Sequence, residues 1–397
     1  MDNKLFSVIV LCYRHFEYLY TAIDSVLSQT YPQIELIISD DGSDNFPYKE
    51  VEEYIRINKG DHIKNVVIHQ ETENVGTVRH LNHATDICAG AYVVALAGDD
   101  IFFDERVLER YAAGFQHAPE NCYIEMAQTG MYDENLEKLD SYYLKPPVQA
   151  AIEKTATDSS ELLKVLIEFG ACLPSTSTCF RREFFEKFGK FDERYHLVED
   201  YPMHVRLAEE GWIIHYENFV AIKHRNGGIS HGQKNTLSRS AMLYFSDDKR
   251  MIEEIILAKK SVLDKKAQES LIRKQKKQLL WLEYTLAKAR RDYATLLKIC
   301  IMNPGQTFFT LLGKAWPYAY RWHAKLFFIC CGFWVIIPIV TQMLETILQA
   351  DASAVPVVLY GVNLVLFIGW LYAFIVYWLN RLIGKIHHFP SETLAIG

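Results

Sequence analysis

The sequence lacks most of the signatures by which protein classes are recognised. Its eight cysteines include no Cys-x-x-Cys pair, which argues against a cysteine-ligated metal and against a disulfide framework. It has neither the glycine-rich fingerprint of dinucleotide-binding folds nor a P-loop, and it has no sustained internal repeat. The net charge is −7, so we expect no nucleic-acid partner. What remains is the profile of a globular protein in a reducing compartment.

The first hundred residues alternate between two kinds of apolar segment. Short apolar runs predict buried strands, and longer segments with helical spacing predict helices. The predicted strands are Phe6–Leu11, Ile34–Ser39, Val66–His69 and the run that ends at Leu96, and the predicted helices cover Tyr18–Leu27, Tyr48–Ile57 and Thr77–Ala89. This alternation predicts an α/β fold with a mainly parallel, Rossmann-like sheet. Phe6–Cys12 is too short for the apolar core of a signal peptide, so we expect no leader there.

Two aspartates follow the most hydrophobic of these strands. The run Ala91–Ala97 leads directly into Gly98, Asp99 and Asp100. Unpaired buried carboxylates are costly, and ligands of open α/β folds bind at the carboxyl edge of the sheet. Adjacent carboxylates there suit a divalent cation, Mg²⁺ or Mn²⁺, shared with substrate phosphates. The alternative interpretation is a polar turn that caps the next helix.

Four polar segments follow predicted strands and should meet at that edge. They are Cys12–Arg14, Asp40–Ser43, Asn74–Arg79 and Gly98–Asp100. Together they offer carboxylates for a base edge and sugar hydroxyls, an arginine for negative charge, and a metal site for a diphosphate. This combination suits a nucleotide-sugar donor.

The chain resembles a known family in the order of its motifs. The stretches concerned are Ser7–Val10, Ser25–Tyr31, Glu35–Ser43, Asn74–Gly76, Ala97–Asp100, Phe188–Glu193 and Glu199–Asp200. They resemble the family-2 glycosyltransferases of the GT-A fold, over roughly residues 5 to 230. The resemblance implies inverting transfer of a sugar from a nucleotide diphosphate, expected to be UDP. Leu11 and Cys12 depart from the family's usual polar or proline-containing turn, so the uridine pocket should differ in detail.

The resemblance also implies roles for individual residues. Asp41 would contact the uracil, and Tyr13 would line the nucleotide pocket. Asp99 and Asp100 would form the metal-binding motif, with Asp100 as the more direct ligand. The full set expected to bind the nucleotide sugar is Tyr13, Asp40, Asp41, Gly76, Arg79, Gly98, Asp99 and Arg225. For Arg79 the alternative is a solvated helix face.

Arg225 and His231 flank a glycine-rich segment that resembles a mobile loop closing over the diphosphate. His231 would then ligate the metal or touch phosphate. An ordinary exposed loop is the alternative.

Asp200, with Glu199 beside it, is the catalytic candidate because it matches the family's general base. Inverting transfer is a single displacement, so one base must take the proton of the acceptor hydroxyl. The leaving nucleoside diphosphate gathers negative charge that a cation can stabilise. The alternative is that this pair only caps the helix predicted over Pro202–Glu210.

The C-terminal part changes character after the predicted transferase domain. The predicted division is a GT-A domain at 1–235 (nucleotide half 1–100, acceptor half 101–235), a basic helical juxtamembrane region at 236–325, a transmembrane hairpin at 326–380 and a tail at 381–397. Phe327–Leu344 and Val355–Leu379 are each long enough to cross a bilayer. Basic residues flank the pair and are absent from its linker, so both ends should be cytoplasmic. A re-entrant hairpin is the alternative for the first segment, which contains Pro338.

The basic helical region has three interpretations. Its lysines and arginines either form a solvated face or lie against anionic lipid headgroups, and its position before the hairpin favours membrane lipids. Recurring leucines and isoleucines also permit a coiled coil and a homo-oligomer. Arg321-Trp322 keeps part of a processive-synthase motif without its glutamine, which disfavours a processive enzyme.

The sequence therefore predicts a membrane-anchored, inverting, metal-dependent glycosyltransferase at the inner membrane, with its catalytic domain in the cytoplasm. The expected acceptor is a polyprenyl-linked saccharide of surface-polysaccharide or glycan biosynthesis. One competing hypothesis is a polyprenyl-phosphate glycosyltransferase, whose ionised nucleophile needs no base. Another is a scaffold that binds nucleotide without turnover, and the complete set of carboxylates argues against it.

Overall fold

The computed structural model describes residues 4–155, 157–226 and 238–302. The described residues up to Tyr293 form one compact unit, and the described residues 294–302 belong to a second. The strands of the described part are β1 Phe6–Cys12, β2 Ile34–Asp40, β3 Ile63–Gln70, β4 Tyr92–Ala97, β5 Ile101–Phe102, β6 Cys122–Tyr132, β7 Leu139–Tyr142, β8 Thr178–Arg181 and β9 Ile213–Arg225. The α-helices there are α1 Leu19–Leu27, α2 Tyr48–Asn58, α3 Thr77–Ile87, α4 Val107–His117, α5 Pro146–Ile152, α6 Ser159–Phe169, α7 Glu183–Phe188, α8 Asp200–Glu209, α9 Arg239–Arg250, α10 Lys265–Arg290 and α11 Tyr293–Met302.

The strands form one mixed sheet in the order β3-β2-β1-β4-β8-β6-β9-β5, with β7 beside β6. The first four run parallel, as the sequence predicts. The second half departs from the mainly parallel prediction, because β8 is antiparallel to both β4 and β6, and β5 is antiparallel to β9. The sheet is therefore mixed, with β5, β7 and β8 running opposite to the other six strands.

Helices cover both faces of the sheet, and each face has its own core. Successive strand residues point to opposite faces, so that Val8 and Val10 join one core and Ile9 joins the other. α1, α2 and α4 cover the first face, and α3, α6, α7 and α8 cover the second. This double cover explains why β1, β2 and β4 are apolar runs without polar alternation. Cys12, Cys88 and Cys179 are free and buried in these cores.

Helices α9 and α10 pack as a pair within the first unit. Phe245 of α9 meets Trp281 of α10 with ring centroids 5.2 Å apart, and Gln278 donates a hydrogen bond to Asp248. A π-helical turn, Met251–Ile256, joins α9 to a short 3₁₀ turn at Lys260–Val262. The sequence predicts this region as basic and helical, and its helical character is confirmed up to Met302.

Within the part of the chain that the structure describes, no helix combines the length and apolarity needed to span a bilayer. The predicted hairpin at 326–380, its flanking aromatics and the tail at 381–397 all lie outside the described residues. The hairpin stays a prediction.

Candidate active site

The four polar segments that follow β1 to β4 meet at one edge of the sheet. The Cys12 carbonyl accepts a hydrogen bond from Asp41 N at 3.0 Å, and the Leu11 carbonyl accepts one from Gly98 N at 2.7 Å. Arg14 N donates to the hydroxyl of Ser43 at 2.8 Å. Because these bonds join neighbouring loops, the edge forms one continuous polar surface.

Asp41 organises the loop before α3. Its carboxylate accepts hydrogen bonds from Asn74 Nδ2 at 2.7 Å, Val75 N at 2.8 Å and Gly76 N at 3.1 Å. Burial raises the pKa of this carboxyl, although the two backbone N–H groups oppose the shift. Gly76 has a φ of 88° at the start of α3, a conformation that L side chains rarely adopt. The Asn-Val-Gly sequence is thus built to wrap around Asp41.

Asp40 and Tyr13 lie at the same edge in different situations. Asp40 is fully buried and accepts bonds from Ser43 N, Ser43 Oγ and Gln70 Nε2 at 2.7 to 3.1 Å. Those bonds make Asp40 the residue that fixes the turn. Tyr13 is half-buried, with the Arg14 guanidinium 4.9 Å from its ring centroid. Arg14 has a φ of 61°.

The Gly98-Asp99-Asp100 turn links β4 to β5. A Cβ at Gly98 would lie 3.0 Å from the Leu11 carbonyl oxygen, so only glycine fits without displacement. Asp100 is buried and accepts hydrogen bonds from His224 Nδ1 at 2.8 Å and Arg225 N at 3.0 Å. Asp99 is half-buried, and burial together with the charge of Asp100 raises the pKa of Asp99.

His224 was not among the residues predicted from the sequence. Burial alone would lower its pKa, but the hydrogen bond to Asp100 and the charges of Asp100 and Asp99 outweigh burial and raise it. The signal that could have found His224 is its place next to the end of β9, since strand ends are where the other site residues lie. The predicted ligand His231 lies outside the described residues.

Arg225 holds the aspartate turn rather than facing the cavity. Its guanidinium lies 3.6 Å from the ring centroid of Tyr18. Its Nε donates to the Asp99 carbonyl at 3.0 Å, and its Nη1 donates to the Glu134 carbonyl. The side chain therefore joins α1, the turn and the β6–β7 connection.

Arg79 pairs with Glu193 rather than with the aspartate turn. It lies on α3, about half-exposed, and its Nε donates to Glu193 Oε2 at 2.9 Å. Asn82 also donates to Glu193, so the pair joins α3 to the segment after α7. Both the phosphate role and the solvated face remain predictions for this residue.

One cavity of about 310 Å³ brings the two ends of the predicted site together. Asp99 and His224 contribute to its wall at the sheet edge, and Glu199 and Asp200 contribute from the start of α8. Tyr244 of α9 lines it as well. The four charged or titratable groups therefore line a shared space, although Asp99 and Asp200 are 101 positions apart in the sequence.

Glu199 and Asp200 do not form the helix cap of the alternative interpretation. α8 begins at Asp200, and the Glu199 side chain makes no capping hydrogen bond. Asp200 Oδ1 accepts one bond, from Tyr201 N at 2.7 Å. Burial raises the pKa of both carboxyls, and the charge of Asp200 adds to the shift at Glu199. A carboxylate with a raised pKa is suited to exchanging protons near neutrality.

A separate group of ligand-type side chains lies away from this cavity. Among the described residues, Glu125, His215 and Glu217 are the three whose ligand atoms all lie within 4.8 Å of one another. His215 Nδ1 donates to both oxygens of the fully buried Glu125 at 2.9 and 3.0 Å. These bonds pair Glu125 of β6 with His215 of β9, and the Glu125 carboxylate lies close to Gly114 of α4. None of the three lines the cavity.

The chain matches one protein family and is similar to several uncharacterised glycosyltransferases. The family described as glycosyltransferase like family 2 matches residues 3–242. An uncharacterised glycosyltransferase of Rickettsia typhi is 28% identical over 223 residues, which cover 56% of this chain and 64% of the relative. The uncharacterised glycosyltransferase EpsJ of Bacillus subtilis is 27% identical over 224 residues, covering 54% of this chain and 61% of EpsJ. The chain thus spans less than two thirds of either relative.

Solved structures show a looser similarity. S. aureus TarS 1-349 in complex with UDP-GlcNAc has a TM-score of 0.49 at 17% identity, covering 71% of this chain and 74% of that one. The mannosyltransferase PcManGT of Pyrobaculum calidifontis, in complex with GDP-Man and Mn²⁺, has a TM-score of 0.46 at 17% identity, covering 78% and 84%. The assignment rests instead on the family match, which takes in the parallel strands, both carboxylate pairs and His224. On that evidence the chain belongs to glycosyltransferase family 2.

Proposed function

We propose that the protein is an inverting, metal-dependent glycosyltransferase that moves one sugar from a UDP-sugar to a lipid-linked saccharide. The observation that carries the proposal is the single cavity shared by Asp99, His224 and Asp200. Such a cavity can hold the leaving diphosphate at one end and the attacking hydroxyl at the other.

Asp200 is the proposed general base. Its position at the start of α8 puts the carboxylate in the cavity wall, and burial raises its pKa towards the range in which a base both holds and releases a proton. Glu199 is the proposed second carboxylate, and the charge of Asp200 adds to the burial that raises the pKa of Glu199. One negative charge on the pair is then favoured over two.

Asp99, Asp100 and His224 would hold the divalent cation. The residue types suit one, because two adjacent carboxylates and an imidazole lie near one turn. Their ligand atoms do not all lie within 4.8 Å of one another, and both Asp100 oxygens already accept hydrogen bonds, so binding would require them to rearrange. When bound, Mg²⁺ or Mn²⁺ would stabilise the negative charge of the leaving diphosphate. Arg225 fixes the backbone of this turn.

The nucleotide is proposed to lie against Tyr13, Asp41 and the loop that ends at Gly76. Asp41 already binds that loop through three N–H groups, so the base would meet a preformed surface. Recognition by Asp41 would then combine its remaining lone pairs with the loop that it holds.

The membrane part of the proposal rests on sequence and charge. Exposed lysines and arginines predominate along α10, and Trp281 is exposed on the same helix. Basic residues with an aromatic side chain suit an anionic lipid surface. The hairpin predicted at 326–380 would then place the enzyme at the inner membrane, facing the cytoplasm, where a polyprenyl-linked acceptor is delivered. Self-association through this region remains a further proposal.

The test is transfer by the full chain held in nanodiscs. It would be supplied with UDP-sugars, Mn²⁺ and a lipid-linked saccharide pool, and release of UDP would be followed. The proposal predicts release that depends on both metal and acceptor and is lost in Asp99→Asn. If Asp200→Asn retains activity with polyprenyl phosphate, the acceptor is the lipid phosphate instead. If UDP binds without turnover under all these conditions, the protein is a nucleotide-binding scaffold.

A further inference from the structure

The cavity extends well behind the catalytic carboxylates. Its wall includes Val93, four residues before Ala97 on β4, and Thr85, eight residues after Thr77 on α3. At about 3.3 Å per strand residue and about 1.5 Å per helix residue, both positions lie about 12 Å behind the sheet edge. We call this part the inner chamber, lined by Ile9, Leu81, Thr85, Val93, Phe180 and Phe191.

The inner chamber is walled by the hydrophobic core. Ile9, Val93 and Phe191 are buried core residues, and Phe180 contacts Phe191 with ring centroids 6.0 Å apart. The hydroxyl of Thr85 already donates to the Asn82 carbonyl at 2.8 Å. The wall therefore offers apolar surface to a ligand, and the hydroxyl hydrogen of Thr85 is already donated to the Asn82 carbonyl.

His204 is the exception in this apolar setting. It lies on α8 four residues after Asp200, or about 6 Å along the helix, and it lines the same cavity although only 2% of it is exposed. Within the part of the chain that the structure describes, its ring makes no hydrogen bond to protein. Burial lowers the pKa of His204 to about 4, so the ring is neutral, with one donor and one acceptor. Buried polar groups are normally hydrogen-bonded, so this ring lacks the partner that a ligand in the cavity would supply.

We propose that the inner chamber and His204 bind the acetamido group of a nucleotide-activated N-acetylhexosamine. The methyl group packs against Phe180 and Phe191, and the amide pairs with the ring of His204. The inference rests on the proposed function, since Asp99 and Asp200 set where the donor sugar lies. A chamber enclosed by core residues suits a substituent with a single point of attachment, which a sugar on a diphosphate provides.

Other sugar substituents match this chamber less well. A bare hydroxyl would leave the apolar wall unfilled. The methyl group of a 6-deoxy sugar would fill the wall but leave His204 unpaired, and an unpaired buried polar group costs free energy. An acetamido group satisfies both requirements.

The experiment is calorimetric binding of UDP, UDP-GlcNAc and UDP-Glc to the full chain in detergent with Mn²⁺. One buried methyl group and one hydrogen bond predict binding of UDP-GlcNAc about tenfold tighter than UDP-Glc. His204→Leu should weaken UDP-GlcNAc about fivefold and leave UDP and UDP-Glc unchanged. His204→Gln, which keeps a neutral N–H donor, should retain most of the preference. His117→Leu, at an exposed position on α4, is the matched control.

A second variant tests the same inference if His204→Leu fails to fold. Ala95 lines the cavity from the sheet, and Ala95→Leu should fill the chamber and abolish the preference while UDP still binds. Equal affinities for the two sugars, or a preference that survives both variants, would overturn the inference alone. Failure of UDP itself to bind would instead overturn the proposed function.

Discussion

Replacing Arg225 by lysine should loosen the aspartate turn while keeping the positive charge. The arginine donates from Nε to the Asp99 carbonyl and from Nη1 to the Glu134 carbonyl, and it packs on the ring of Tyr18. A lysine has a single terminal nitrogen, so it can reach one of the two carbonyls and loses the planar fork. A hydrogen bond from a charged donor contributes about 1.5–3 kcal/mol. We therefore expect the free energy of unfolding to fall by about 2 kcal/mol.

Thermal unfolding of the full chain in detergent measures this loss. For a unit of about this size, 2 kcal/mol corresponds to a midpoint about 3 °C lower. Binding of UDP with Mn²⁺ should weaken in the same variant, because the Asp99–Asp100 backbone is less well held. The matched control is Arg194→Lys, since Arg194 is 66% exposed and pairs with Asp192 at the surface; we expect less than about 0.5 kcal/mol there. Equal midpoints and equal UDP affinities in both variants would refute the role assigned to Arg225.

Three further predictions concern the same site. His224→Gln removes the ring that orients Asp100, so the Mn²⁺ concentration needed for half-maximal UDP binding should rise about 10–100-fold; an unchanged requirement would remove His224 from the metal site. Glu199 holds its proton more tightly in the folded chain, so its contribution to stability is present at low pH and lost as pH rises through the raised pKa. Glu199→Gln should therefore raise the unfolding midpoint relative to wild type at about pH 8 and not at about pH 4, and the reverse pattern would contradict the raised pKa. Gly98→Ala puts a Cβ 3.0 Å from the Leu11 carbonyl oxygen, so UDP binding should weaken about tenfold or more; tolerance would show that the turn can shift without cost.

The first half of the sheet could be predicted because its signals are local. Each of β1 to β4 is a short apolar run next to an amphipathic helix, and the observed bounds differ from the predicted ones by a few residues at most. The second half could not, because the direction of β8 depends on where the chain returns to the sheet. No pattern within Thr178–Arg181 specifies pairing with both β4 and β6.

The candidate site divides in the same way. Asp99, Asp100 and Asp200 stand out in the sequence as carboxylates beside apolar or aromatic segments. His224 and His204 do not stand out, because the role of an isolated histidine in a strand or helix depends on residues that are distant in sequence. Asp40 is the opposite case. It stands out in the sequence as a site candidate, but its role is to fix a turn through hydrogen bonds from Ser43 and Gln70, and only the structure shows those bonds.

The most direct test of the central claim is the rate of UDP release by wild type and Asp200→Asn. Both would be held as full chains in nanodiscs with Mn²⁺, UDP-sugars and a lipid-linked saccharide pool, and UDP affinity would be measured in parallel. If Asp200 is the base, the variant should lose about 10²–10⁴-fold in rate while binding UDP as wild type does. Equal rates in the two proteins would contradict the proposal that Asp200 takes the proton of an acceptor hydroxyl.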